Sequence, residues 1–142
     1  MKSMDTRSEL VRKSHEEVWS KGNLAVADEI YSRKIVRHSA DQTDEIGRDA
    51  YKRFIVGTRE AFPDWTETVE SIIASRDLVA TKVVIKATMT GSLNGPAGQL
   101  PPTGNDFELS AAVFYRITDG MIAEIWSYYD SVPILKTIGV MP

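Results

Sequence analysis

The chain has 142 residues, 42% hydrophobic and 26% charged, with a formal net charge of -3, two histidines and no cysteine. Those values suit one globular domain over 1–142, long enough to bury a core, and they argue against disorder. They exclude disulfides and thiol chemistry, provide no basic stripe for nucleic acid, and leave no apolar run near the roughly 20 residues of a membrane span.

The N-terminal MKSMDTRSEL lacks the apolar stretch of a signal peptide, so a cytoplasmic protein is expected. A first helix is predicted over Thr6–Lys21, with Leu10, Val11, Val18 and Trp19 on one stripe and KGN closing it. A second runs over Leu24–Ile30, with Asn23 as its N-cap. The segment YSRKIVRHSADQTDEIG is too polar and irregular for a long element and is expected to wrap around an opening. RDAYKRFIVGTREAF places Tyr51, Phe54, Ile55, Thr58 and Phe62 at helical spacing, and Pro63 ends this third helix.

After Pro63 the period falls to two. TETVESIIAS and LVATKVVIKATMTG read as strands joined at SRD, and GSLNGPAGQLPPTGN as a Gly/Pro loop closing the cavity mouth as a flap. DFELSAAVFYRI and MIAEIWSYYD are the last two strands, joined at TDG, and SVPILKTIGV yields a short terminal helix. Helices followed by antiparallel hairpins make an α+β pattern: three N-terminal helices on one face of a strongly curved, mostly antiparallel sheet that encloses a pocket.

The final strand carries the functional signal. Glu124, Trp126, Tyr128 and Asp130 share one face at a period of two, a mixture that suits neither water nor a core, so the face is expected to look onto a half-apolar pocket. A three-residue turn with Gly120 left-handed adds Ser110, Ala112, Phe114 and Arg116 to that face, and this register is favoured; a two-residue turn adds Val113 and Tyr115 instead. Arg116 and Glu124 then form either an ion pair or part of the site.

FPDW after the third helix, TG at 90–91, PPTG at 101–104, YRITDGMIAEIW, Asp130 and LKTIG together resemble the SnoaL-like polyketide cyclase family of the nuclear-transport-factor-2-like superfamily. The resemblance implies a cone of three helices and a bent sheet, a homodimer through the sheet's outer side, and acid/base chemistry with no metal or organic cofactor. It implies that Asp130 is the acid/base of an intramolecular aldol ring closure and that His38 lines the same pocket. Arg116 and Met89 stand where many relatives carry histidine.

Each assignment has a plainer alternative. Asp130 is also a good N-cap for the tail helix, and His38 could be a surface loop histidine. His15, between Val11 and Trp19, reads as a core-edge histidine and is left out of the catalytic pair. Trp19, Tyr31, Phe62 and Trp65 read as core, whereas Tyr51 and Phe54 are expected on the pocket wall beside Trp126, Tyr128, Arg116 and Glu124. Three functions are compatible with this set. The first is a cyclase or isomerase acting on a small apolar or polycyclic carbonyl compound; the second is a binding protein that turns nothing over; the third is an epoxide hydrolase using Arg116, Glu124 and Asp130.

Overall fold

The computed structural model describes residues 5–39, 44–95 and 98–142. Helix α1 (Thr6–Lys13) runs directly into a π-helical stretch, Ser14–Trp19, so the predicted first helix is continuous but changes its winding halfway. The wider turn brings two adjacent pairs, Ser14–His15 and Val18–Trp19, to the buried side, where ordinary helical winding would turn neighbours progressively away. Arg59 compensates the helix end by donating through Nη1 to the Trp19 and Ser20 carbonyls. Helix α2 (Leu24–Ile30) has the predicted bounds, and Asn23 accepts from the Val26 amide as its cap.

Among the described residues two helices, not three, precede the first strand. The segment expected to wrap irregularly contains strand β1 (Tyr31–Ser39) and the short β2 (Glu45–Ile46), and only then comes α3 (Arg48–Ala61). Strand β1 was hidden because a register irregularity between Tyr31 and Val36 breaks its alternation across Ser32, Arg33 and Lys34. From Ile35 the period of two holds: Ile35 and Arg37 are buried, and Val36 and His38 face the other way.

The remaining strands are β3 (Thr66–Ser75), β4 (Leu78–Thr88), β5 (Leu93–Gly95), β6 (Gly98–Leu100), β7 (Asp106–Thr118) and β8 (Met121–Tyr129), followed by α4 (Val132–Thr137). Six strands form one mixed sheet in the order β2-β1-β8-β7-β4-β3, with β1 and β8 parallel and the other neighbours antiparallel. Among the described residues the outer strands of the sheet are β2 and β3, and the helices lie on one face of this mixed sheet. β5 and β6 pair as a separate hairpin within the Gly/Pro loop. This is the α+β NTF2-like fold. Among the described residues no helix is long and apolar enough to cross a membrane.

The β7–β8 turn combines the two expected alternatives. Asp119 and Gly120 both have positive φ, 52° and 76°, as a two-residue hairpin turn requires, and Thr118 pairs with Met121. An extra residue at Ala123 then bulges, and beyond it Arg116 pairs with Glu124 and Phe114 with Trp126. Even residues therefore do pair with even, but through a bulge and not through a longer turn.

The core lies between the helices and the odd-numbered side of the sheet, where Val79, Val83, Leu109, Val113, Tyr115 and Ile125 are buried. Trp19, Phe62, Trp65 and Phe107 make edge and tilted contacts at ring-centroid distances of 5.5–5.8 Å, geometry worth about 0.5–1.5 kcal/mol per pair beyond area burial. Gly91 donates its amide to the Ala61 carbonyl at the end of α3. A methyl group on Gly91 would overlap the Glu60 carbonyl oxygen and lie 2.9 Å from its carbon. Gly91→Ala is accordingly expected to lower stability by about 2–3 kcal/mol in urea unfolding. A loss below about 0.5 kcal/mol would show that this backbone crossing yields freely.

Candidate active site

A cavity of about 150 Å³ lies between the inner sheet face and the helices. Its sheet side consists of Ile85, Leu109, Ala111, Val113, Tyr115, Ile125, Ser127 and Tyr129, and its helical side of His15, Trp19, Tyr51, Phe54 and Thr58. Phe54, Thr58, Leu93, Tyr129 and Ile134 are half-buried and the other lining residues buried, so these five form the rim. Leu93 belongs to the β5–β6 hairpin, which therefore sits at the mouth as the loop's composition suggested; residues 96–97 of that loop lie outside the described residues.

The wall carries few polar groups, and most are joined. His15 Nδ1 lies 2.6 Å from Glu67 Oε1, and its Nε2 lies 2.8 Å from Tyr115 Oη and 3.1 Å from Thr81 Oγ1. The second Glu67 oxygen accepts from Trp65 Nε1 at 2.8 Å. A carboxylate oxygen accepts, so His15 Nδ1 donates to Glu67, and Nε2 faces the Tyr115 hydroxyl. Glu67 thus fixes the tautomer and orientation of a buried imidazole whose reactive nitrogen points at Tyr115. The π-helical turn supplies the placement, since π insertions recur where a helix must present a side chain out of its normal phase.

Burial holds Tyr115 well above the ordinary tyrosine range and pushes Tyr51 up to about 12, despite Arg37 and the Trp19 Nε1 donor 2.9 Å from the Tyr51 hydroxyl. Both remain phenols at neutral pH, and so can donate a proton in a hydrogen bond. On the β1 side Arg37 reaches the cavity, its Nη1 donating to Glu45 Oε1 at 2.9 Å and its guanidinium carbon 4.7 Å from the Phe54 ring centroid. Burial raises the Glu45 pKa, with Arg37 opposing the shift.

The acid–aromatic face of the final strand looks the other way. Its even residues lie on the sheet's outer side, and the odd residues Ile125, Ser127 and Tyr129 line the cavity. Asp130 is exposed, and its Oδ1 accepts from the Val132 amide at 3.0 Å, the local bond of an acid that starts the tail turn. It does not lean into the cavity, because the strand ends at Tyr129 and the chain turns there. His38, Glu124, Trp126, Arg116 and Tyr128 are likewise absent from the wall, whereas Tyr51 and Phe54 lie on it. Met89 is fully buried outside the lining.

The outer residues form their own cluster. His38 stacks on Trp126 at 5.6 Å and 23°, and the Arg116 guanidinium lies 5.6 Å from the Trp126 ring centroid. Arg116 pairs with Asp77 at 2.7 Å and with Glu124 at 3.7 Å, so the ion-pair alternative describes it. Asp130 takes no part, and the Arg–Glu–Asp constellation of the epoxide-hydrolase alternative is not assembled. His38 bridges Glu124 at 2.7 Å and Asp44 at 2.9 Å. The bond to Glu124 raises its pKa above the ordinary imidazole value; burial opposes this, and the bond to Asp44 adds to the rise.

A pKa raised on folding means that this bridge contributes fully below the unfolded value of about 6.5, and that the contribution is lost as pH rises through the folded value. The melting-temperature gap between wild type and His38→Gln is therefore expected to be wider near pH 5.5 than near pH 8.5. An equal gap at both would show that the bridge does not depend on imidazole charge.

Sequence reasoning missed His15, Glu67, Tyr115 and Arg37. Glu67 shares strand parity with Trp65, and Tyr115 with Leu109, Ala111 and Val113; a carboxylate and a phenol on apolar faces were the available signals. Among the described residues no group of three or more His, Asp or Glu side chains is arranged to hold a metal ion.

Comparison with known proteins agrees with this architecture. No curated protein matches the sequence. Among solved structures, AclR of Streptomyces galilaeus, provisionally a hydroxylase, is 28% identical, with a TM-score of 0.80 over 99% of this chain and 100% of its own. IdmH of Streptomyces antibioticus, provisionally a polyketide cyclase, is also 28% identical, with a TM-score of 0.74 over 95% of this chain and 99% of its own. A protein from Jannaschia sp. CCS1 has the same fold at 18% identity, with a TM-score of 0.84 over 100% of both chains. The model of the SnoaL-like polyketide cyclases matches residues 9–138, nearly the whole length, and the chain belongs to that family.

Proposed function

We propose that the protein is a cyclase- or isomerase-type enzyme that moves a proton next to the carbonyl of a small, largely apolar compound held in the cavity. Family membership supports a cyclase-type activity in general, and the two similar structures, provisionally a hydroxylase and a cyclase, show why the reaction must be argued from the site. The observation that carries the proposal is the buried Glu67–His15–Tyr115 array on the cavity wall.

An entering carbonyl oxygen competes with His15 Nε2 for the Tyr115 proton. Once Tyr115 donates to that oxygen, the Nε2 lone pair is open and takes a proton from the adjacent carbon. The electron pair left on carbon moves to oxygen as an enolate, held by the Tyr115 hydroxyl, while the Glu67 carboxylate stabilises the imidazolium. Return of the proton to another carbon completes an isomerisation. Attack of the enolate on a second carbonyl, followed by protonation of the new alkoxide, completes an aldol closure. Protein groups alone balance either sequence. On this reading His15 takes the role first assigned to Asp130.

The test is solvent deuterium exchange at the α-carbon of an aryl ketone such as phenylacetone, followed by NMR. Wild type accelerates exchange, and His15→Gln does not. No acceleration by wild type would favour the second reading, a non-catalytic ligand-binding protein, which the exposed position of Asp130 supports.

The exposed Phe114 and Tyr128, 6.1 Å apart on the outer sheet face, support a homodimer through that face. Tyr128→Glu is then expected to halve the mass seen by analytical ultracentrifugation, and a monomeric wild type would refute it.

A further inference from the structure

The cavity has a second polar side, which proton transfer does not use. Arg37 on β1 and Glu67 on β3 sit four strand steps apart in the sheet order, roughly 19 Å along the sheet at the usual spacing. They approach the cavity from opposite flanks, with apolar Val113 and Ile125 between. The Arg37 side chain is only 7% exposed, and Glu45, the carboxylate it meets, is not on the wall. One guanidinium nitrogen donates to Glu45 and one face is covered by Phe54, so the planar fork has further in-plane donors to offer at its edge.

Ser127 lies on the neighbouring strand, opposite Ser39 where Arg37 is opposite Ile125. It is 8% exposed and on the cavity wall, so its hydroxyl is available to a molecule held in the cavity. Tyr129 bears on Arg37 from the rim and adds a further hydroxyl on that side.

Size narrows the occupant. A cavity of about 150 Å³ compares with an engineered apolar cavity of the same volume that holds one benzene molecule. A fused polycycle does not fit without moving the rim. Trp19, Phe54, Phe62 and Trp65 on the wall suit the faces and edges of one planar ring.

We infer that Arg37 and Ser127 form an anion subsite, and that the cavity takes a single-ring compound bearing a carboxylate or another ionised oxygen. Its charged end is held at the β1–β8 side, and its reacting carbonyl lies toward Tyr115 and His15. The inference rests on the reading of this cavity as the reaction site. It narrows the ligand from a neutral, apolar or polycyclic molecule to an acidic monocycle. Arg37 is on this account a specificity-determining residue.

The experiment compares phenylacetate with its neutral counterpart phenylacetamide by calorimetry and by quenching of tryptophan fluorescence. Wild type is expected to bind the anion at least about tenfold more tightly, the scale of one charge-assisted hydrogen bond. Glu45→Gln leaves the guanidinium charge uncompensated and tightens phenylacetate only. Ser127→Ala weakens phenylacetate several-fold without changing phenylacetamide. The double variant Arg37→Met/Glu45→Gln, which leaves no buried charge behind, binds both probes alike. Should it fail to fold, the two single variants decide.

Absence of phenylacetate binding, equal affinity for the two probes in wild type, or a preference that survives loss of Arg37 would overturn the inference. His15→Gln, which stops proton exchange, must keep the anion preference. A wild type that prefers the anion but exchanges no proton would remove the acid–base reading and leave the subsite standing.

Discussion

Tyr115→Phe is expected to slow proton transfer in the cavity by about 10²–10³-fold, the usual loss on removing one oxyanion donor, while the protein stays folded. The phenol is buried and remains protonated far above neutral pH because of that burial. Its one proton either meets His15 Nε2, as here at 2.8 Å, or meets a ligand oxygen. Phenylalanine keeps the ring, which meets the His15 ring edge-on at 5.5 Å, and removes only the hydroxyl. The stability loss should then be about 1 kcal/mol, the scale of one hydrogen bond. Exchange rates and urea midpoints measured on the same samples separate the two effects. A rate within about threefold of wild type would remove Tyr115 from the chemistry.

Glu67→Leu is expected to destabilise the protein by about 3–5 kcal/mol, on the scale of leaving two buried donors unpaired at roughly 1–3 kcal/mol each. Both carboxylate oxygens are engaged, one with His15 at 2.6 Å and the other with the Trp65 indole at 2.8 Å. Leucine strips two buried donors, His15 Nδ1 and Trp65 Nε1, of their acceptor at once. Glu67→Gln retains one acceptor oxygen but turns an N–H toward one of the same donors, so an intermediate loss of about 1–3 kcal/mol follows. Adding His15→Leu to Glu67→Leu should recover part of the loss, since no unpaired imidazole then remains. A Glu67→Leu loss under about 1 kcal/mol in urea unfolding would show that water reaches these donors and that the array is not sealed.

Both expectations concern residues that local patterns rank poorly. Glu67 lies in TETVES, an ordinary half-polar strand read locally, and becomes notable only because His15 arrives from a helix 52 positions earlier. Tyr115 meets His15 across 100 positions. The final strand shows the converse. Its alternation was legible and correct, with Glu124, Trp126 and Tyr128 on one face, but alternation alone does not say which face meets the helices. Trp126 drew the choice toward the cavity, yet its ring is covered on the outer side by His38 and Arg116. Asp130 stands one residue before Ser131, the N-cap of the tail helix, and bonds the Val132 amide, so it is next to the cap and not the cap itself.

Local physics in the sequence determined a good deal about this protein. α2, β3 and the start of α3 stand where capping, periodicity and Pro63 place them, because those signals act over a few residues. The order of helices and β-branched runs was enough for the α+β class, and the motif order was enough for the family. Only the tertiary structure decided the insertion of β1 beside β8, the bulge at Ala123 that sets the pairing, and the side of the sheet on which the cavity forms. Those outcomes depend on which apolar face the helices cover, a choice made by contacts between segments remote in sequence. Glu67, His15, Tyr115 and Arg37 became a candidate site through that choice.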